Sequence, residues 1–241
     1  MKILVKENYD ELSLEAANIV ADVIKNNPKA VLGLATGSSP IGLYKELIKK
    51  YESSEISFKD VKTINLDEYI GLSGDHDQSY RYFMNTNLFD HIDIDKDNTY
   101  IPNGVAEDLE LESRNYDQIV ESLGGQDIQI LGVGENGHIG FNEPDSKLLT
   151  PTHVADLLES TIEANSRFFD SADDVPKQAI SMGLGSIFKS KKIILVASGQ
   201  NKANAIKSLQ NDYITPQIPV TLLKLHPDVT IIVDKEAASL L

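Results

Sequence analysis

The chain has 241 residues, 41% hydrophobic and 24% charged, a length and composition that allow a substantial buried core. Its 22 Lys and Arg against 37 Asp and Glu leave a net charge of −15, so neither nucleic acid nor an anionic membrane is an expected partner. With no cysteine there are no disulfides or thiolate metal sites, no apolar run reaches the ~18–20 residues that span a bilayer, and the N-terminal MKILVKENYDEL does not read as a secretory leader; a cytoplasmic location is expected.

KILV (2–5) reads as a short strand. From Tyr9 to Asn26 the residues Leu12, Ala16, Ile19, Val20, Val23 and Ile24 recur at helical spacing, and Pro28 follows the end. AVLGLAT (30–36) predicts a buried strand, and PIGLYKELIKKY (40–51) a helix with proline in its first turn. VKTINL (61–66) is a strand and SYRYFMNTNLF (79–89) a helix. SRNYDQIVESLG (113–124) predicts a helix ended by glycine, followed by a strand at DIQILGVG (127–134). KKIILVAS (191–198) and VTIIVD (229–234) are two more strands, with a helix from about Asn201 to Leu209 between them. Residues 145–175 are polar and weakly periodic, and are expected to be the mobile part.

Strands alternating with helices imply the α/β class: a mostly parallel central sheet covered on both faces, in a three-layer sandwich. No repeat, low-complexity tract or Pro/Ser-rich linker divides the chain, so a single α/β domain over 1–241 is expected. Ligands of such sheets lie beyond the carboxyl ends of the strands. The segments after LGLAT, TINL, QILGVG and ILVAS all carry polar groups.

ATGSSP (35–40) offers a turn at Gly37, the hydroxyls of Ser38 and Ser39, and the free N–H groups of the helix that follows. It reads as a phosphate cradle or as an ordinary serine-capped turn. In INLDEY (64–69), Asp67 and Glu68 follow a buried strand. Their side chains point opposite ways, so one of them can act as a general base while the other caps or faces solvent.

ILGVGENGHIGFNEP (130–144) spends glycines 132, 134, 137 and 140 on close turns. No clear helix follows GVGENG, as a dinucleotide fingerprint requires, so a nicotinamide site is not expected. His138 is suited to move protons near neutrality, and Glu143 can orient or polarise its ring. With five histidines and no cysteine, a metal site is not expected. ASGQNKANAIK (197–207) repeats the strand–turn–helix logic with Lys202 in the first helical turn, where an incoming phosphate would offset its unfavourable place on the dipole. Arg167 in ANSRFFD could hold the same phosphate through two parallel hydrogen bonds, or be a surface arginine.

In order and spacing, LGLATGSSP, INLDEYIGL, GVGENGHIGFNEP, ANSRFF and SGQNKANAI resemble the signature segments of the glucosamine-6-phosphate deaminases, over about residues 30–234. The resemblance implies a Rossmann-like fold and the conversion of D-glucosamine 6-phosphate and water to D-fructose 6-phosphate and ammonia, in amino sugar catabolism. It implies that His138 assists ring opening with Glu143 and Asn136 in support, and that Asp67 carries the C2 proton to C1. Gly37, Ser38, Ser39, Arg167 and Lys202 would hold the phosphate of a small-molecule sugar phosphate. Many members have Asp where this chain has Asn136, which can orient or hydrogen-bond but carries no charge. Such acid–base chemistry needs no metal and no other cofactor.

Some members are hexamers activated by N-acetylglucosamine 6-phosphate, with a longer C-terminus and basic residues soon after FNEP. This chain stops at Leu241 and has only Lys147 and His153 in SKLLTPTHVADLL, so no such activation is expected; a homo-oligomer is left open. Two alternatives stand beside the deaminase. A 6-phosphogluconolactonase-type hydrolase would share the scaffold, but FNEP and LDEY favour the deaminase. A non-catalytic sugar-phosphate sensor would carry a DNA-binding domain and lose the catalytic groups.

Overall fold

The computed structural model describes residues 1–166, 169, 171 and 174–241. The elements run β1 (Lys2–Lys6), α1 (Tyr9–Asn26), β2 (Val31–Leu34), α2 (Ile41–Glu52), β3 (Lys62–Asn65), β4 (Asp67–Tyr69), α3 (Tyr80–Asn87), β5 (Thr99–Tyr100) and α4 (Leu109–Ser122). There follow β6 (Ile128–Leu131), β7 (His153–Asp156), α5 (Glu159–Asn165), β8 (Gln178–Ser181), α6 (Leu184–Phe188), β9 (Ile193–Ala197), α7 (Ala203–Lys207) and β10 (Val229–Asp234).

Seven strands form one sheet in the order β1-β10-β9-β6-β2-β3-β5, every neighbouring pair parallel. With flanking helices this is the expected three-layer α/β arrangement. The inner strands are buried along their whole length: VLGL in β2, IQIL in β6, IILVA in β9 and VTIIVD in β10. Covered on both sides, they are predominantly apolar on both faces in place of alternation, with Gln129, Thr230 and Asp234 as buried polar exceptions. Burying each Val, Leu or Ile stabilises the fold by roughly 1.5–3 kcal/mol.

α1 shows how local sequence fixes an element. Asn8 caps it by accepting from Glu11 N at 3.0 Å, and Asp10 and Glu11 lie in the first turn, where the dipole favours anions. Its apolar stripe, with Leu12, Ala16, Val20 and Ile24 at helical spacing, is buried against α2 and the β10 side of the sheet.

Three expectations need correction. α4 begins at Leu109, ahead of Ser113, because Asp108 caps it by accepting from Leu111 N at 2.9 Å. Its first turn leaves Leu111 exposed, so apolar periodicity starts late. The helix expected over 201–209 is instead the short α7 between two 3₁₀ turns, Gln200–Lys202 and Ser208–Gln210. A second, three-stranded antiparallel sheet, β4-β8-β7, was not expected. Its strands have three or four residues each, too few to display a period. β7 and α5 both fall inside 145–175, so that stretch includes regular structure. Among the described residues no helix is long and apolar enough to cross a membrane.

Candidate active site

The chain leaves β2 toward β3 and β5 on one side, then returns to place β6 on the other side of β2 and continues outward to β9 and β10. At such a reversal the loops beyond two adjacent strand ends part company and leave a crevice. A cavity of about 250 Å³ opens there, beyond the ends of β2 and β6.

The loop after β2 forms one wall. It turns at Gly37 (φ +85°) and presents Ser38 and Ser39 to the cavity. Two tyrosines outside the loop fix its path. The Tyr9 hydroxyl lies 3.0 Å from Ser38 O and 3.1 Å from Ser39 O and accepts from Gly42 N at 2.8 Å. Buried Tyr44 donates to Ala35 O at 2.6 Å. The loop feeds the N-terminus of α2, which has no side-chain cap and whose dipole favours an anion. Lys202 brings a positive charge to the same cavity. Its turn is held by Asp234 at the end of β10, which accepts from Ser198 Oγ, from Gly199 N at 3.1 Å and from Ala237 N at 2.8 Å. Asn201 then joins this turn to the β6 loop by donating to Glu135 Oε1 at 2.7 Å.

A second wall comes from β4, which leaves β3 after one residue and pairs with β8, Asp67 opposite Ser181. Asp67 faces the cavity and Glu68 faces away. Glu68 Oε1 accepts from Tyr69 N and Tyr80 N, each at 2.8 Å, and Oε2 accepts from Arg81 N at 2.9 Å, so this carboxylate caps α3. Asp67 is 6% exposed. Burial, with a smaller contribution from the Glu68 charge, pushes its pKa up to about 8. A carboxyl poised near working pH is suited to take and return a proton.

The loop after β6 supplies the third wall. A Cβ on Gly134 would lie 2.3 Å from His138 Cε1, so only a glycine lets the imidazole lie against the backbone there. Gly140 has φ +57°, and a Cβ on it would sit 3.6 Å from Asp67 Oδ2, so the loop runs directly beside that carboxylate. Phe141 N donates to Ser181 Oγ at 3.0 Å and ties the loop to β8.

Behind the ring, His138 Nδ1 is 3.1 Å from Glu143 Oε2, the distance at which the protonated nitrogen donates. Asn136 donates Nδ2 to the same Oε2 at 2.9 Å and accepts His138 N on Oδ1 at 3.1 Å. Thr161 of α5 donates to Glu143 Oε1 at 2.5 Å. Burial alone would raise the Glu143 pKa, but the His138, Thr161 and Asn136 contacts outweigh it and hold the group below the usual carboxylate range. Glu143 is therefore a carboxylate at neutral pH and fixes which imidazole nitrogen carries the inward proton.

The structure brings Gly37, Ser38, Ser39, Asp67, Asn136, His138 and Lys202 to one cavity, with Glu143 directly behind His138. Arg167 lies outside the described residues. Sequence reading missed Thr161, Tyr9 and Asp234. Asp234 ends a strand and Tyr9 opens a helix, and neither carries a local signal of its long-range bonds. Among the described residues no three His, Asp or Glu side chains are grouped so as to hold a metal ion.

A family profile described as "Glucosamine-6-phosphate isomerases/6-phosphogluconolactonase" matches residues 6–232. The glucosamine-6-phosphate deaminase of Clostridium perfringens (strain 13 / Type A) is 59% identical over 241 residues, covering 100% of both chains. That of Thermoanaerobacter pseudethanolicus (strain ATCC 33223 / 39E) is 61% identical over 241 residues, covering 100% of this chain and 95% of the relative. The solved structure of a monomeric glucosamine-6-phosphate deaminase is 50% identical and matches with a TM-score of 0.98, both chains covered in full. A 6-phosphogluconolactonase from Trypanosoma cruzi, 20% identical with a TM-score of 0.77 over 99% of this chain and 96% of its own, shares the fold alone.

Proposed function

The chain belongs to the family of glucosamine-6-phosphate isomerases and 6-phosphogluconolactonases, and we propose that Asp67 and His138 divide between them the proton transfers of its deaminase branch. The protein is an enzyme of amino sugar metabolism. It converts D-glucosamine 6-phosphate and water to D-fructose 6-phosphate and ammonia, an aldose–ketose isomerisation coupled to loss of the amine.

What carries the assignment of roles is the presence, in one cavity, of a carboxyl poised near pH 8 and an imidazole backed by a carboxylate. In this reading Gly37, Ser38, Ser39 and Lys202 bind the phosphate, joined by Arg167. Charge-assisted bonds contribute roughly 1.5–3 kcal/mol each, enough for a few local donors to hold an anion on a strongly acidic protein. His138, kept in register by Glu143 and Asn136, moves the proton from O1 to the ring oxygen as the pyranose opens. Asp67 removes the C2 hydrogen as a proton and returns it at C1. That transfer leaves a C2 imine, to which water adds, and ammonia departs from the resulting carbinolamine.

The finer properties follow the same reading. The solved relative is described as monomeric, and we assign that state to this chain in preference to a homo-oligomer. We place the protein in the cytoplasm, where a substrate too charged to cross a bilayer is retained. The test is a direct comparison of substrates: ammonia release from glucosamine 6-phosphate should far exceed hydrolysis of 6-phosphogluconolactone. The reverse order would move the chain to the lactonase branch.

A further inference from the structure

The Glu143 carboxylate is gripped from two independent elements. Its Oε2 takes His138 Nδ1 at 3.1 Å and Asn136 Nδ2 at 2.9 Å, both from its own loop. Its Oε1 takes the Thr161 hydroxyl at 2.5 Å, from α5. Thr161 is 4% exposed and Glu143 9%. A threonine hydroxyl inside a helix commonly turns back to a carbonyl of the preceding turn; here it is directed at the carboxylate.

One turn later on the same helix face, Asn165 donates Nδ2 to Tyr69 Oη at 3.0 Å. Tyr69 lies two residues beyond Asp67 on β4. α5 has seven residues, too few to be stable alone, so it depends on such attachments. Through them it touches both limbs of the site: the carboxylate behind His138 and the strand that carries Asp67. Ser160, Thr161, Ala164 and Asn165 also line the cavity, so a bound sugar lies against this helix.

We propose that Thr161 is a positioning residue for the deaminase reaction: by holding Glu143 Oε1 from α5 it fixes the carboxylate plane, so that Oε2 stays aimed at His138 Nδ1. The inference rests on the roles proposed for His138 and Glu143, but its structural half stands apart from any activity. The titratable group that faces Glu143 is His138, from its own loop; Asn136 and, from α5, Thr161 are neutral. Loss of the hydroxyl removes a donor to the ionised form, so Glu143 binds a proton more readily.

The experiment compares wild type, Thr161→Val and Thr161→Ser in two measurements. The Glu143 carboxyl is titrated by carbon-13 NMR in the ligand-free protein, and kcat and KM for glucosamine 6-phosphate are followed across pH. The expected result for Thr161→Val is a higher Glu143 titration midpoint, an acid limb of kcat displaced the same way, a kcat lower by about 10-fold, and KM within about twofold. Thr161→Ser should restore the midpoint and most of kcat. Where thermal unfolding shows Thr161→Val to be unfolded, Thr161→Ala removes the hydroxyl without the branch and takes its place. A midpoint and kcat unchanged without the hydroxyl would overturn the proposal, as would a serine variant as impaired as valine, which would leave only a packing role for the methyl group. A folded wild type without deaminase activity would sink the functional reading instead, and the NMR titration would still decide whether Thr161 acts on Glu143.

Discussion

Asp67 and Glu68 are neighbours on β4 with opposite surroundings: Glu68 accepts three backbone N–H groups around the start of α3, while Asp67 faces the cavity beside the Gly140 backbone. Burial raises the pKa of both, but only Asp67 lines the cavity. One strand thus holds a capping carboxylate and a cavity-facing one in consecutive positions, each selected by the period of two.

Asp67 should make stability depend on pH in an unusual direction. Its folded pKa, about 8, lies above the ordinary 3.8. The stability contributed by its protonated form is complete below the ordinary carboxylate range and is lost as pH rises toward and through 8. A tenfold change in proton affinity corresponds to about 1.4 kcal/mol, so ionisation costs the fold on the order of several kcal/mol. Asp67→Asn should therefore melt at a higher temperature than wild type at pH 9, by a margin that shrinks toward pH 5. Thermal unfolding across that range checks it, and a margin that does not change with pH would contradict the assignment.

Gly134→Ala should displace the His138 ring, because a Cβ there would stand 2.3 Å from Cε1. A misplacement of about 1 Å can cost about 100-fold in rate. The expected outcome is a fall in kcat of roughly that size with a much smaller change in KM, since the loop after β2, to which we assign the phosphate, is untouched. Steady-state kinetics decide it; equal losses in binding and turnover would count against the role given to the ring.

Asn136→Asp should keep the enzyme active while moving its acid limb. The amide now donates to Glu143 Oε2 at 2.9 Å. A carboxylate there would remove that donor and add a like charge, raising the Glu143 pKa and displacing the acid limb of kcat/KM upward by about 1 pH unit. A pH–rate profile measures this, and an unmoved limb would show that Glu143 ionisation does not govern activity.

N-acetylglucosamine 6-phosphate should leave the kinetics unchanged. Lys147 and His153 are the basic groups soon after FNEP, and His153 Nδ1 lies 2.9 Å from Pro151 O. The substrate curve is expected to be hyperbolic with or without this ligand. A sigmoidal curve that straightens on its addition would contradict that expectation.

The sheet was legible because its inner strands are apolar runs bounded by turn residues, as in IILVA and VTIIVD. The cavity was legible because chemistry in this fold class gathers at strand ends, and the polar groups after β2, β3, β6 and β9 all point there. The small antiparallel sheet was not, since three residues of β4 cannot display a period and its pairing with β8 joins positions over a hundred residues apart. Thr161 was hidden for a related reason. In ESTIEAN it is one polar residue among several, and only the packing of α5 onto the Glu143 loop selects it.

The most direct test of the central claim is to measure ammonia and fructose 6-phosphate from glucosamine 6-phosphate with wild type and Asp67→Asn side by side. The account predicts equal amounts of the two products from wild type. It predicts a loss of roughly 10²–10⁴-fold in the folded variant, the range that general acid–base catalysis contributes. Undiminished turnover by Asp67→Asn would remove Asp67 as the base, and a well-folded wild type that forms neither product would contradict the reaction itself.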